Sequence, residues 1–449
     1  MRSTAHDKAR RNQPLLLIAI LFAFLGSELA LAAESRPNMI VVVADDMGWR
    51  DAGFRGHPHL ETPNLDSMAA GGLVFDYFYA AQQSCSPGRY AILTGRAPFR
   101  TGRHPLGNMR PEEVTIARAL HSAGYATAHF GKWHVGRGET SPVKMGFDQA
   151  IWKKNFYELG AQLQVGDTAE QISLEGDTSV ATMALVLDYI RQQVEKERPF
   201  FIQVSFGSPH YPHRAPPEFT ERYAGLPRRD AQFLGEITGI DAAMGALRDE
   251  LRALEIAEET IIWFTSDNGG IMPDSLEPTG KGKGDIGVRT VGLLEWPRHV
   301  EGGRTTNIPA VHMDIYPTLL DVAGVTVPSQ PPLDGISLRP LLEDAMAARS
   351  KPIGFMLRAR QGQPGHKGLD ELDFVEDTEG VWIDGRYKLI VERTPVPGRR
   401  PTVALYDIYL DPGEEENIAP SRPETVKTMR SSLDTWRRSL RSSHVGNDF

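Results

Sequence analysis

The sequence predicts an α/β fold. It reads as a mostly parallel central sheet with helices on both faces, followed by a smaller C-terminal α+β domain with an antiparallel sheet. Three observations predict it. Apolar runs of strand length alternate with stretches of helical periodicity over the first 350 residues. The strand-like runs are apolar throughout, as strands buried on both faces are. After about residue 350 hairpin signals replace this alternation. Composition agrees: of 449 residues, 24% are charged and 41% apolar, which excludes a disordered or collagen-like chain. The net charge of −9 carries no long like-charge block, so no nucleic acid partner held by bulk charge is expected.

Each element carries its own signal. Arg2, Lys8, Arg10 and Arg11 precede the apolar run Leu15 to Leu25, and Ala30-Leu31-Ala32 is a small-x-small cleavage signal. Residues 1–33 therefore read as a signal peptide, the run being short for a bilayer span. The mature protein is expected to be exported, periplasmic or secreted, with no stable membrane span after cleavage. Residues 34–350 form the expected main domain and residues 351–449 the smaller one. Met39 to Ala44 is a buried strand ending at Asp45-Asp46. Glu113 to Ser122 reads as a helix closed by Gly124, and Tyr125 to Phe130 as a strand ending at Gly131-Lys132-Trp133-His134. Thr178 to Glu195 has Met183, Val186, Ile190 and Val194 at helical spacing. Phe200 to Phe206 is a strand ending at Ser208-Pro209-His210, Ala231 to Glu255 is helical, and Thr260 to Thr265 is a strand ending at Ser266-Asp267-Asn268-Gly269-Gly270. Gln361 to Gly365 is loop-like, Gly380 to Ile390 turns at Asp384-Gly385, Ala404 to Tyr409 is a short strand, and Pro423 to Leu440 an amphipathic helix.

Four strands thus end in polar residues. In open α/β sheets the binding crevice lies at the carboxyl ends of the strands, so residues scattered along the chain converge on one edge. Each motif is ambiguous alone. Asp45-Asp46 and Asp267-Asn268-Gly269-Gly270 are ordinary turn or cap chemistry in isolation. Together they put three carboxylates and an amide at one place, which repel unless a cation neutralises them. All-oxygen ligands favour calcium or magnesium over zinc. Cys85 is the only cysteine, so no intrachain disulfide forms. Just before the proline-led helix start Ser86-Pro87, it is either a thiol of lowered pKa or a small core residue. Lys132 and His134 pair a cation with an imidazole; His210 and His213 flank Tyr211-Pro212; Lys281 and Lys283 lie in a glycine-rich loop suited to an oxyanion.

Cys85-Ser86-Pro87-Gly88-Arg89 followed by Leu93-Thr94-Gly95-Arg96 resembles the signature of the type I, formylglycine-dependent sulfatases. The resemblance extends over nearly the whole mature chain. It takes in Asp45-Asp46-Met47-Gly48, Thr62-Pro63-Asn64-Leu65-Asp66, Gly131-Lys132-Trp133-His134, Pro209-His210-Tyr211-Pro212, Ser266-Asp267-Asn268-Gly269, Leu333-Asp334-Gly335 and Tyr406-Asp407 through Asp411-Pro412 to Glu414. It implies an alkaline-phosphatase-like fold and a sulfate-ester hydrolase. It implies that Cys85 is oxidised to formylglycine by dedicated machinery during maturation. It implies that Asp45, Asp46, Asp267, Asn268 and the modified Cys85 bind one calcium ion, and that Arg89 holds the formylglycine hydrate. Lys132, His134, His210 and a lysine of the Gly-Lys-Gly-Lys loop would contact the sulfate. Counting back from Arg289 favours Lys281, with Lys283 the alternative. Gly88 stands where the family commonly has Ser or Ala, and the lysine loop is shorter than usual.

On this resemblance one hydroxyl of the hydrate attacks sulfur, His210 protonates the leaving alcohol, and the second hydroxyl, helped by His134, expels sulfate. The expected substrate is a sulfated sugar, chosen by loops near Arg55 to Glu61 and Asp148 to Asp177. His57 and His59 either line that pocket or are incidental. Two readings compete: a phosphatase or phosphodiesterase of the same fold, and a catalytically silent binder of sulfated glycans if Cys85 stays unmodified.

Overall fold

The computed structural model describes residues 36–101, 109–157, 159–270, 287–356, 379–392 and 402–448. Residues 1–33, Gln361 to Gly365, Lys281 and Lys283 lie outside the described residues.

Strand β1 (Asn38–Ala44) sits at the centre of a large sheet. Its apolar run has a simple cause. Ile40, Val42 and Ala44 join one core, while Met39, Val41 and Val43 join the other, so neither face meets water. The first core is closed by α1 (Pro63–Gly71), α4 (Thr178–Glu195) and α5 (Arg228–Ala253). The second is closed by α2 (Cys85–Thr94), α3 (Ile116–Ser122) and α6 (Ile315–Val322). Helices therefore lie on both faces, as the sequence predicts.

The sheet's middle strands are all parallel, in the order β9 (Thr260–Ser266), β1, β8 (Phe200–Ser205), β4 (Ala126–Lys132) and β5 (Gln149–Lys153). Its flanks are mixed. Beyond β5 lie β6 (Gln162–Val165) and β7 (Gln171–Ser173); beyond β9 lie β11 (Gly292–Glu295), β2 (Leu73–Phe75) and β12 (Arg304–Thr306). Register sets where the strands finish: Ala44 stands beside Ser266, Val43 beside Ser205, and Gly131 beside Ser205. Four strands therefore end level, and Asp45, Lys132, His210 and Asp267 leave from one edge.

Local chemistry sets the helix ends. α3 begins at Ile116 rather than Glu113, because Thr115 is the cap and its hydroxyl accepts from the Arg118 N–H. Asp177 caps α4, accepting from the Ser179 and Val180 amides at 2.9 and 3.1 Å. α2 ends at Gly95, whose φ of 68° needs a residue without a Cβ.

The C-terminal sheet is antiparallel: β14 (Ile353–Met356), β15 (Gly380–Asp384), β16 (Tyr387–Glu392) and β17 (Thr402–Asp407). The β15–β16 turn falls at Asp384-Gly385, with Gly385 left-handed, as the dipeptide predicts. Helix α7 (Pro423–His444) packs Met429 and Leu433 on this sheet. Asp334 ties that helix to the body. It accepts from Arg100 at 2.7 and 2.8 Å, from the Ala97 amide at 2.7 Å and from the Trp436 indole at 2.9 Å. Burial alone would raise its carboxyl, but Arg100 holds it below the usual carboxylate range.

Candidate active site

Asp45 and Asp46 come directly after β1. The Asp45 amide donates to the Ser208 carbonyl at 2.9 Å, and the Asp267 amide to the Ala44 carbonyl at 3.1 Å, so the three loops are stitched at the sheet edge. Asp46 has a φ of 73°, and its amide reaches Asp267 Oδ1 at 3.3 Å. Asp51, buried and pushed up to about 6 by that burial, accepts from the Gly48 amide at 2.6 Å and shapes this loop. Only its place in the Asp45–Asp51 run gave a signal for it.

Cys85 is the first residue of α2 and is buried. Its Sγ lies 3.6 Å from Asp46 Oδ1. The reading of an acidified thiol is corrected here. Burial, then the carboxylates of Asp267 and Asp45, push the Cys85 thiol well above its ordinary value, with Lys132 opposing. One turn on, Arg89 donates Nε–H to Asp267 Oδ2 at 2.8 Å and a second nitrogen to the Lys132 carbonyl at 2.9 Å, while its third nitrogen lies 2.7 Å from the same Asp267 oxygen as an ion pair. α2 can approach this closely because residue 88 is glycine: a Cβ there would stand 2.0 Å from the Asp267 carbonyl oxygen. The Gly88 departure therefore has a packing reason.

The Lys132 ammonium is fully buried and pairs with Asp45. Burial opposes its charge, but Asp45 together with Cys85 and Asp267 outweighs burial, and the net effect raises the group. Asp45 is pushed up to about 6, by burial and then by Asp267, with Lys132 opposing. His134 comes next in left-handed backbone, φ 57°. Burial, Lys132 and Arg89 push its imidazole down to about 3, so it is neutral at physiological pH, and its buried Nδ1 has no hydrogen-bond partner among the described residues.

His210 completes the set. Its Nδ1 faces the Tyr211 carbonyl, which can only accept, so Nδ1 carries the proton. Nε2 points to Asp46 Oδ2 at 3.6 Å, and the ring stacks on Tyr157 at 4.8 Å and 17°. That tyrosine carried no sequence signal. His213 turns away and donates to or accepts from buried Glu236 at 2.9 Å. His57 uses Nδ1 within its own loop, accepting from the His59 and Leu60 amides.

The residues fit a cation. Asp45, Asp46, Cys85 and His210 each offer a ligand atom within 4.8 Å of the others. Asn268 donates to Asp46 Oδ1 at 2.7 Å, while its own Oδ1 and Asp45 Oδ1 are buried without a hydrogen-bond partner among the described residues. Two bare acceptor oxygens beside three carboxylates are what a bound hard cation would satisfy.

The sheet topology and this edge of carboxylates, buried cations and imidazoles define an α/β protein with a polar site at the carboxyl ends of its parallel strands. The profile described as Sulfatase matches residues 37–325. The chain is 33% identical over 461 aligned residues to arylsulfatase A of Homo sapiens, covering 89% of this chain and 87% of that protein. It is 32% identical over 369 residues to N-acetylgalactosamine-6-sulfatase of Canis lupus familiaris, covering 73% and 69%. Among solved structures, Ps i-CgsB in complex with k-i-k-neocarrahexaose superposes with a TM-score of 0.78 at 24% identity, covering 90% of this chain and 93% of that one. The chain belongs to the sulfatase family and is a sulfuric ester hydrolase.

The Asp45–Lys132 pair makes a stability prediction. Removing one partner of a buried ion pair strands the other charge. In metal-free buffer, Lys132→Ala should cost on the order of 3 kcal/mol by urea unfolding. Adding Asp45→Asn should recover part of that loss. A loss in the double variant equal to the sum of the losses in the two single variants would show the pair to be uncoupled.

Proposed function

We propose that this sulfatase hydrolyses sulfate esters of carbohydrates with a formylglycine made from Cys85 and one calcium ion. The observation that carries the reading is the state of Cys85. A buried thiol raised well above its ordinary value is a poor nucleophile, yet it stands where Asp46, Arg89 and Lys132 converge. Conversion resolves the conflict: a hydrated aldehyde supplies one hydroxyl to attack sulfur and a second whose deprotonation releases sulfate.

Asp45, Asp46, Asp267 and Asn268 would hold calcium through side-chain oxygens, together with the oxygen of the converted residue 85. Bound there, calcium supplies positive charge beside the nucleophilic oxygen. Arg89, locked by Asp267 and the Lys132 carbonyl, orients the hydrate. Lys132, with Lys281 of the glycine-rich loop, stabilises the sulfate oxygens, and Lys283 is the alternative. His210 presents Nε2 for the leaving-group oxygen because Nδ1 is committed to a carbonyl. Neutral His134 with an open Nδ1 suits taking the proton of the second hydroxyl. The carbohydrate assignment is supported by the saccharide bound to Ps i-CgsB and by the N-acetylgalactosamine-6-sulfatase relative. Export through residues 1–33 and conversion of Cys85 by maturation machinery belong to the same proposal; among the described residues no helix is long and apolar enough to cross a membrane.

Mass spectrometry of the Cys85 peptide from the native producer tests the reading directly. Conversion should lower the peptide mass and allow hydrazine labelling, and Cys85→Ser should give a trapped sulfate ester or no turnover. Steady turnover by an unmodified Cys85→Ser enzyme would favour a phosphatase-like mechanism instead.

Asp267→Ala should lose calcium, read as metal content per chain after dialysis. Retention of a full equivalent would place the ion elsewhere.

His210→Ala should reduce sugar-sulfate turnover by roughly 10²–10⁴-fold, the usual worth of a general acid. Nitrophenyl sulfate, whose leaving group needs little help, should lose far less. Equal losses on both would remove His210 from the acid role.

A further inference from the structure

Tyr211 is out of place as a residue. It is 60% exposed, although the side chains about it are buried or half-buried: His210 at 22% and His213 at 2%. Its ring is nonetheless held. It meets the His213 ring at 5.7 Å and 84°, and His213 is fixed from beneath by Glu236 and packed against Phe233 at 5.2 Å. A second tyrosine approaches from another loop. Tyr157 stacks on His210, and its hydroxyl accepts from the Asn155 amide at 3.0 Å. One aromatic ring therefore stacks on the imidazole whose Nε2 faces the site, and a second, exposed, belongs to the next residue in the chain and is held against His213.

Geometry says what passes this imidazole. A general acid must come within about 3 Å of the oxygen it protonates. The carbon skeleton of the leaving alcohol is bonded to that oxygen, so it lies within a few bonds of His210, close to the ring of Tyr157 and to the residue that follows His210. A pyranose presents an apolar C–H face and a polar rim. A rigid tyrosine matches that pattern, with an apolar body for the C–H face and a hydroxyl left in water. We propose that Tyr211, with Tyr157, forms an aromatic wall that binds the sugar ring of the leaving group. This rests on the carbohydrate-sulfatase reading and names where its selectivity for a sugar over the bare anion arises.

The wall acts on the sugar and not on the sulfate, which gives a test. Wild type, Tyr211→Ala and Tyr211→Phe, all in the matured form, are compared on galactose 6-sulfate and N-acetylgalactosamine 6-sulfate. Inorganic sulfate serves as a competitive inhibitor that reads the anion cradle alone. Tyr211→Ala should raise KM for the sugar sulfate about tenfold. Its kcat should change less than its KM, and the inhibition constant of inorganic sulfate should hold. Tyr211→Phe, which keeps the ring, should keep the wild-type KM. An unchanged KM in Tyr211→Ala overturns the wall. So does a fall in kcat at constant KM, which would mean that Tyr211 only positions His210, and so does a parallel weakening of inorganic sulfate. Wild-type enzyme that cleaves nitrophenyl sulfate but neither sugar sulfate overturns the carbohydrate reading itself, and the wall with it.

Discussion

Asp267 bound by Arg89 is the interaction on which the rest of the site depends. Three carboxylates leave neighbouring parallel strands at one level, and buried like charges cannot stand together uncompensated. The guanidinium neutralises Asp267, reaches to 3.9 Å from Asp45 and pins the Lys132 carbonyl, so one side chain crosslinks β9, β1 and β4. Lys132 answers Asp45 in the same way. α2 must come close for Arg89 to reach, and this is why a glycine faces the Asp267 carbonyl. Cys85 is carried into the cluster by the same helix.

The imidazoles around this cluster are kept neutral by their surroundings. His134 lies at about 3, His213 at about 4 and His312 at about 4, each lowered first by burial. Neutral rings next to Lys132 and Arg89 add no further positive charge, so the positive charge that answers the carboxylates comes from the lysine and the guanidinium. His210 differs from them in being partly exposed, with its outer face on Tyr157.

The C-terminal sheet reaches the same body through Asp334. Its carboxylate gathers Arg100, the Ala97 amide and the Trp436 indole from elements far apart in the chain. Asp407 and Glu414, late members of the sequence pattern, pair with Arg386 and Lys388. These acids organise the small sheet and lie apart from the residues around Cys85.

Local sequence determined the elements. An unbroken apolar run is a strand buried on both faces, helical spacing from Thr178 to Glu195 is a helix of those bounds, and Asp384-Gly385 is a hairpin turn. It also determined that polar residues close four strands, and the motif around Cys85 carried the family resemblance. Only the tertiary structure decided how these ends meet. Arg89 and Asp267 are 178 residues apart, and Asp46 and Asn268 are 222 apart. The stacking of Tyr157 on His210, the closeness of α2 at Gly88 and the raised thiol of Cys85 likewise arise from strand order and register. Periodicity reports the face a residue takes within its own element, whereas burial and charge are summed over every element that packs there.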